Sequence, residues 1–398
     1  MTFFINTRWK TIFLFFLTFN PLLNADEPVR LQYIQIEGQV LHADALVDET
    51  VYIDGLFNHQ AEIDEFSVSV VREITSEGSA VLDSSFRVIE RVDSVPGYFE
   101  WISDETVRLE RTSQGFMSVP EDASLPVLRN VPSFPDYSVK PGDSWSLPAE
   151  EVHVFRIRNV LYGPYRGSVQ VLYKYLENKI IENHTFARIS IDYNVYLPVR
   201  QRGEPIRLIS GISHQEILWD IEYGRPELKI EDFEFLMMMT DGRTQEFIGT
   251  GRTTYRLSES INRTLALETL HSELESVPGV TIKSTEEGIL LSIVETENIL
   301  FEPESSIVSD NQKYRLEELA RSLKAYTDRD ILVTGHTADY GTPEGRKNLS
   351  MKRAAAVSDI LFPEGRTGQG RLFLRGAGNT ELIGSDQLNR RVEILILD

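Results

Sequence analysis

The chain has 398 residues, of which 41% are hydrophobic and 10% aromatic, so it can bury a sizeable core, and its length suggests two or three domains. It contains no cysteine, which excludes a disulfide framework, a thiolate metal site, a cysteine nucleophile and a lipid-bearing cysteine. The formal charge is −21, and the acidity lies before residue 301, because the remainder carries 14 basic against 15 acidic residues. Such a surface repels phosphate backbones, so nucleic-acid binding is not expected.

The first 25 residues have the pattern of a secretory signal. Arg8 and Lys10 form a basic start, residues 12–23 form a short apolar run, and Ala25 is a candidate cleavage point. A dozen apolar residues are too few to span a bilayer. A retained membrane anchor is the alternative, since the two residues before Ala25 fit a cleavage box poorly. We therefore predict an exported protein that is found in the periplasm.

Residues 26–257 carry the period-two pattern of half-buried strands. From Ala187 to Leu197, apolar side chains alternate with polar ones. A second alternating run, from Phe233 to Met239, leads into Asp241-Gly242, a dipeptide that favours a hairpin turn. The pattern predicts an all-β region, either a sandwich or an open barrel, with two lobes that divide near residues 131–141.

This region offers no convincing catalytic arrangement. Ser213-His214 suggests a serine hydrolase, but the segment lacks the G-x-S-x-G elbow and a following helix. The seven histidines of the chain form no i, i+4 pair and no metal-ligand spacing. Trp145, in a Pro-Gly-Asp-Ser-Trp turn, is expected to fill the core at the start of a strand. We predict no enzyme activity, no metal and no cofactor.

The pattern changes near residue 258, where alternating helices and strands begin. A helix is expected around residues 267–277, with Ser258 or Ser260 as its cap, followed by two short strands at 280–282 and 289–293. The segment 299–301 then leads to a helix at 310–326, a strand at 331–335, a helix at 344–361, and strands at 372–374 and 392–397. This order, β-α-β-α-β-β, predicts an α/β domain over residues 258–398.

Several motifs in this domain occur together in a known order. They are Ile299-Leu300-Phe301, Gly335-His336-Thr337, Leu349-Ser350 with Arg353-Ala354, Gly376 with Gly378, and Asn389-Arg390-Arg391-Val392-Glu393-Ile394. With these motifs the segment from about 263 to 398 resembles the OmpA-like peptidoglycan-binding family. The resemblance implies a cleft that takes the peptide stem of peptidoglycan by its zwitterionic diamino acid.

The resemblance also implies which residues bind. Arg353 matches the arginine that holds the free carboxylate of the diamino acid, a role that suits a guanidinium because its fork of donors binds carboxylate in bidentate form. On the helix pattern alone, Arg353 could equally be an edge arginine whose stem packs on the core. The other expected binding residues are Gly335, Thr337, Asp339, Asn389 and Arg390. Arg391 belongs to the same closing motif and could either contact the ligand or have a structural role, in an ion pair with Glu393 or Asp359.

Two positions depart from the family pattern. An aspartate normally follows the glycine-histidine-threonine motif, but this chain has Ala338 and then Asp339. An asparagine normally lies three positions before Leu349, where this chain has Arg346. Three outcomes stay open: Asp339 replaces the missing acceptor, the wall carries a different diamino residue, or binding has been lost.

The sequence as a whole predicts a non-catalytic envelope protein that tethers a β-rich periplasmic module to peptidoglycan. The β-rich module is expected to contact an outer-membrane or periplasmic protein. The alternative is a domain that no longer binds the wall, because of Ala338, and serves as a protein-interaction or structural module.

Overall fold

The computed structural model describes residues 27–91, 99–157, 160–181, 184–201, 203–259, 261–285, 287–294, 300–302, 304–363 and 371–397. The predicted signal segment lies outside these residues. Among the residues described, no helix is both long enough and apolar enough to cross a membrane.

Twelve strands form one nearly closed antiparallel barrel-like sheet in the N-terminal region. They are β1 Gln39–Ile53, β2 Leu56–Ile74, β3 Ala80–Arg91, β4 Phe99–Arg111, β5 Met117–Ser118, β6 Leu128–Arg129, β7 Ser144–Ile157, β8 Val160–Ile181, β9 His184–Pro198, β10 Ile206–Asp220, β11 Arg225–Met239 and β12 Thr244–Glu259. Most strands pair with their neighbours in sequence, and β1 also pairs with β12. The two-residue strands β5 and β6 lie at the two edges of the remaining seam. Of the two predicted all-β architectures, the barrel is therefore the one observed.

The alternating patterns form the strands that they predict. In β9, Ala187, Ile189 and Ile191 are all fully buried. The turn between β11 and β12 contains Gly242, whose φ of 93° explains the glycine. The strands that precede residues 131–141 and the strands that follow them belong to the same sheet. The reason is that β1, from the first group, pairs along its whole length with β12, from the second.

One end of the barrel is filled by residues from outside the long strands. Leu31 and Phe134 pack there with Trp145 and Trp219 in one core cluster. The indole N–H of Trp145 donates to the carbonyl of Ser133 at 3.1 Å. The prediction that Trp145 fills the core at the start of a strand is confirmed.

The C-terminal region is an α/β domain. Its elements are α1 Arg263–Leu274, β13 Val280–Ser284, β14 Gly288–Val294, α2 Asp310–Leu323, β15 Ile331–His336, α3 Pro343–Leu361, β16 Leu372–Gly378, α4 Asp386–Asn389 and β17 Arg391–Leu397. Pairing gives the strand order β13-β14-β17-β15-β16, with β15 and β16 parallel. The predicted order of elements is confirmed, with the short helix α4 added before the last strand.

The predicted cap of the first helix was wrong. The N-cap of α1 is Asn262, whose side chain accepts from the backbone N–H of Leu265. Ser258 still belongs to β12, where its hydroxyl lies 2.9 Å from Nε2 of His42, and Ser260, the other predicted cap, lies outside the described residues. The strand continues past Ser258, so Asn262 is the residue placed to satisfy a free N–H of the first turn.

The C-terminal sheet is covered on both faces. The helices cover one face, and the outer surface of the barrel covers the other. The apolar residues of this second interface are Val40, Phe66, Val68 and Val70 from the barrel and Leu332, Phe373, Leu395 and Leu397 from the C-terminal sheet. The two domains therefore share a continuous apolar contact.

Asp330 supplies the charged part of the same interface. Its carboxylate is fully buried and lies 3.1 Å from Arg371 and 3.6 Å from Arg256 of β12. Burial alone would raise the pKa of Asp330, but the positive charge of Arg371 and its backbone N–H outweigh that cost and lower the pKa. The carboxylate thus stays ionised between the two domains.

Phe373→Ala tests how much this interface contributes to stability. Phe373 is 1% exposed, so we expect a loss of about 3–5 kcal/mol in the free energy of unfolding, measured by urea denaturation. Phe57→Ala is the matched control, because Phe57 is 63% exposed on β2. Equal small losses for both variants would contradict a tight interface between the domains.

Candidate functional site

Glycine at the end of β15 allows helix α3 to pack directly on the strand. A Cβ atom on Gly335 would lie 2.0 Å from the carbonyl oxygen of Ser350, which no side chain can tolerate. Gly376, the partner of Gly335 in β16, is similarly close to the backbone of α3 at Lys347. The glycine motifs therefore bring the backbone of α3 against the ends of two parallel strands.

A buried serine fixes this contact. The hydroxyl of Ser350 donates to the carbonyl of Lys347 at 2.8 Å and accepts from the N–H of Gly378 at 2.9 Å. The carbonyl of Gly378 in turn accepts from the N–H of Thr337 at 2.8 Å. The backbone of Thr337 is therefore fixed, while its buried Oγ1 has no hydrogen-bond partner among the described residues.

Arg353 lies one helical turn after Ser350 and is only 5% exposed. Its Nε donates to the carbonyl of Ser305 at 3.0 Å, and its guanidinium lies 4.8 Å from the ring centre of Phe301. Both partners belong to the segment that precedes α2. The expected edge position is therefore only partly right: Arg353 is a buried arginine held between α3 and this segment.

Asp339, which follows the missing aspartate position, contacts Arg346, the other departure from the family pattern. Oδ1 of Asp339 lies 3.1 Å from Nη1 of Arg346 and accepts from the amide of Asn379 at 3.0 Å. Arg346 is further held by hydrogen bonds to Asn379 and to the carbonyl of Gly341. Arg346 and Arg353 are seven residues apart on α3, which corresponds to roughly 10 Å along the helix. Asp339 thus pairs with a cation two turns before Arg353.

Asn389 and Arg390 close the domain beside the last strand. The side chain of Asn389 is buried, accepts from the N–H of Ile383 at 2.8 Å, and donates to the carbonyl of Gly384 at 3.0 Å. Arg390 is half-buried at the end of α4. In this structure Asn389 holds the loop before α4, and that role accounts for its side-chain amide.

A buried ion network lies under the strand ends. The sequence suggested one of its contacts, between Arg391 and Glu393, but not the whole arrangement. Nε2 of His336 lies 3.1 Å from Oε2 of Glu393, and Nε of Arg391 donates to Oε1 of the same carboxylate at 2.8 Å. Burial would raise the pKa of Glu393, but these two hydrogen bonds outweigh it and lower the pKa to about 2. The predicted structural alternative for Arg391, an ion pair with Glu393, is confirmed.

His336, Glu381 and Glu393 are close enough to suggest a metal site, since their ligand atoms lie within 4.8 Å of one another. However, Arg391 bonds to Glu393, and Arg375 pairs with Glu381. Both carboxylates already have a cationic partner, so the arrangement favours an ion network over a metal centre.

The serine-histidine pair of the β-rich region is not assembled for catalysis. Ser213 and His214 are neighbours on β10, so their side chains point to opposite faces of the sheet. Ser213 donates to Glu231 inside the barrel at 2.7 Å, whereas His214 lies 2.6 Å from Asp192 on the outside. A hydroxyl and an imidazole on opposite faces cannot act as nucleophile and base.

Comparison with known proteins identifies the C-terminal region. Residues 300–393 match the model of the OmpA family. Outer membrane porin F of Pseudomonas aeruginosa is 31% identical over 102 residues, which cover 24% of this chain and 29% of that relative. The C-terminal third is thus an OmpA-like domain, and the chain spans less than a third of the length of this relative.

Solved structures of bacterial proteins also match part of this chain. An outer membrane protein of Borrelia burgdorferi is 28% identical, with 30% of this chain and 97% of that chain covered and a TM-score of 0.24. The peptidoglycan-associated lipoprotein of Burkholderia pseudomallei is 28% identical, with 26% and 87% covered and a TM-score of 0.21. The family match does not extend to residues before 300.

Glu393→Gln tests the ion network through its pH dependence. The pKa of Glu393 is lowered from 4.5 to about 2, so its stabilising effect is fully present above about pH 4.5 and is lost as the pH falls toward 2. We expect the variant to lose on the order of 3 kcal/mol at pH 6, measured by urea denaturation. The difference between wild type and variant should shrink below pH 4.5. A difference that stays constant over this range would contradict a lowered pKa.

Proposed function

We propose that this protein is a non-catalytic cell-envelope protein whose OmpA-like domain binds the stem peptide of peptidoglycan. The observation that carries the proposal is the arrangement of Thr337 and Arg353 around the contact between α3 and the strand ends. Thr337 offers a buried hydroxyl oxygen without a partner among the described residues, and Arg353 offers a guanidinium held in a fixed orientation. The relative from Pseudomonas aeruginosa is an outer membrane protein, which supports a location in the envelope.

The chemistry suits a ligand with a free carboxylate. The guanidinium of Arg353 is held by the carbonyl of Ser305 and the ring of Phe301, so little conformational entropy is lost when it binds. A fixed fork of donors is the arrangement that binds carboxylate best. The diamino acid of the stem peptide carries such a carboxylate together with an ammonium.

Wall binding would also fix the position of the barrel. The barrel packs on the face of the OmpA-like sheet that the helices leave uncovered, through Phe66 and Phe373 among others. The barrel would therefore remain next to the wall and would not move freely on a linker. We propose that the protein tethers its barrel in the periplasm in this way, where an outer-membrane or periplasmic protein is its partner.

Co-sedimentation of residues 26–398 with intact peptidoglycan sacculi tests the proposal. We expect the wild type to sediment with the sacculi and Arg353→Ala to lose about tenfold to a hundredfold in affinity, because a charge-assisted hydrogen bond is removed. Arg353→Lys keeps the charge without the fork, so it should bind with intermediate affinity. Arg321→Ala is the matched control, since Arg321 is 64% exposed on α2 and should bind like wild type.

Thermal unfolding of each variant separates loss of binding from loss of the fold, because Arg353 also supports Ser305 and Phe301. Wild-type protein that stays in the supernatant, with the fold intact, would overturn the wall-binding proposal.

The ion pair between Asp339 and Arg346 favours a second candidate function, an interaction module that no longer binds the wall. A carboxylate that already pairs with a guanidinium has less to offer an ammonium than a carboxylate without a cation beside it. Ala338 cannot supply the acceptor that the family pattern has at this position. In this case the OmpA-like fold would act through protein contacts.

The double variant Ala338→Asp, Arg346→Asn distinguishes the two candidates. It restores both family positions, so we expect affinity for sacculi about tenfold above wild type if the acceptor limits binding. Asp339→Ala is the companion variant. If native protein binds and this change abolishes binding, Asp339 is itself the acceptor. If the double variant also fails to sediment, the interaction module is the better description.

A further inference from the structure

The interior of the barrel contains a polar layer between two apolar ends. Side chains alternate along each strand, and the pairing register sets Glu65 opposite Ala45, and Gln215 opposite Glu231. The apolar cluster around Trp219 lies at one end, and the cluster around Ile209 and Met237 lies at the other. A barrel that needed only stability would fill this middle layer with apolar side chains.

The polar layer lines a cavity of about 480 Å³. This volume is within the usual range for pockets that bind small molecules. Aromatic side chains form part of its wall, and Leu125, Pro126 and Val127, which precede β6 at the seam, form another part. The aromatic residues of the lining include Phe86, Tyr193, Phe233, Phe235 and Tyr255.

Most charges in the cavity already have partners. Nζ of Lys229 lies 2.9 Å from Oε2 of Glu231, and the other oxygen of Glu231 accepts from Ser213 and Gln215. Burial would lower the pKa of Lys229, but Glu231, with a smaller contribution from Glu65, outweighs it and raises the pKa, so Lys229 and Glu231 form a charged pair that is neutral overall. Glu151 lies 2.7 Å from Nε2 of His153.

Glu65 differs from these groups. It lines the cavity and no hydrogen bond or ion pair reaches it from the described part of the chain. Glu65 keeps exposed surface although it lies on the inner side of β2, and part of this surface faces the cavity. Burial raises the pKa of Glu65, and the positive charge of Lys229, which forms its ion pair with Glu231, offsets this only in part. A ligand that supplies a further cation would stabilise the ionised carboxylate.

We propose that the barrel binds a small organic cation in this cavity, with an apolar body against the aromatic wall and an ammonium group beside Glu65. The aromatic faces add to the attraction, because ring faces bind cations. The pair of Lys229 and Glu231 contributes no net charge, whereas Glu65 contributes a negative charge that would attract the ammonium. This site is independent of wall binding by the OmpA-like domain.

Isothermal titration calorimetry of residues 26–398 at pH 7.5 tests the proposal with three probes of equal chain length. They are octylamine, octanol and octanoate, which are cationic, neutral and anionic. We expect octylamine to bind about tenfold to a hundredfold more tightly than octanol, since a charge-assisted contact is added, and octanoate to bind least. Equal binding of octylamine and octanol, preference for octanoate, or no binding of any probe would each overturn the proposal.

Glu65→Gln identifies the counter-ion. We expect this variant to bind octylamine no more tightly than octanol, while thermal unfolding shows that the fold is kept. Glu234→Gln is the matched control, because Glu234 lies on β11 and faces outward from the barrel. It removes the same charge and should leave octylamine binding unchanged. Loss of octylamine binding in both variants, or in neither, would contradict a specific role for Glu65.

Discussion

Burial of the C-terminal sheet on both faces is the constraint on which the arrangement of this protein depends. In β17, Val392, Ile394 and Ile396 pack under the helices, whereas Leu395 and Leu397 pack against the barrel. A strand covered on both faces must be apolar at nearly every position, and the run from Ile394 to Leu397 has this composition. The barrel therefore completes the core of the OmpA-like domain. The ionised carboxylate of Asp330, which lies between Arg371 and Arg256 of β12, helps to hold the two domains in one relative position.

Local periodicity accounts for the elements that could be predicted from the sequence. The alternation in β9 and the glycine turn after β11 depend on neighbours in the chain, so the sequence pattern is enough. The pairing of β1 with β12 joins residues more than 190 positions apart, and no local pattern encodes it. Closure of the barrel, and with it the choice between sandwich and barrel, followed only from the structure.

Motif spacing named the residues of the candidate site but not the groups that they contact. Gly335 had to be glycine, and the structure gives the reason in its contact with Ser350. Ser305 and Phe301, the partners of Arg353, lie about fifty residues earlier in the chain, so only the fold brings them together. The pair of Asp339 and Arg346 could have been suggested by charge alone, because both departures from the family pattern lie close to the same strand end.

The two carboxylates that bear on ligand binding are in opposite electrostatic situations. Asp339 lies where an acceptor for an ammonium is expected, but Arg346 already neutralises much of its charge. Glu65 lines the barrel cavity without a hydrogen bond or ion pair among the described residues, and the positive charge of nearby Lys229 is largely balanced by Glu231. Attraction for an ammonium depends on charge that the protein itself has left unbalanced. If both proposals hold, the barrel would have the stronger electrostatic preference for an ammonium, and the OmpA-like domain would depend on the guanidinium of Arg353 and on the carboxylate of its proposed ligand.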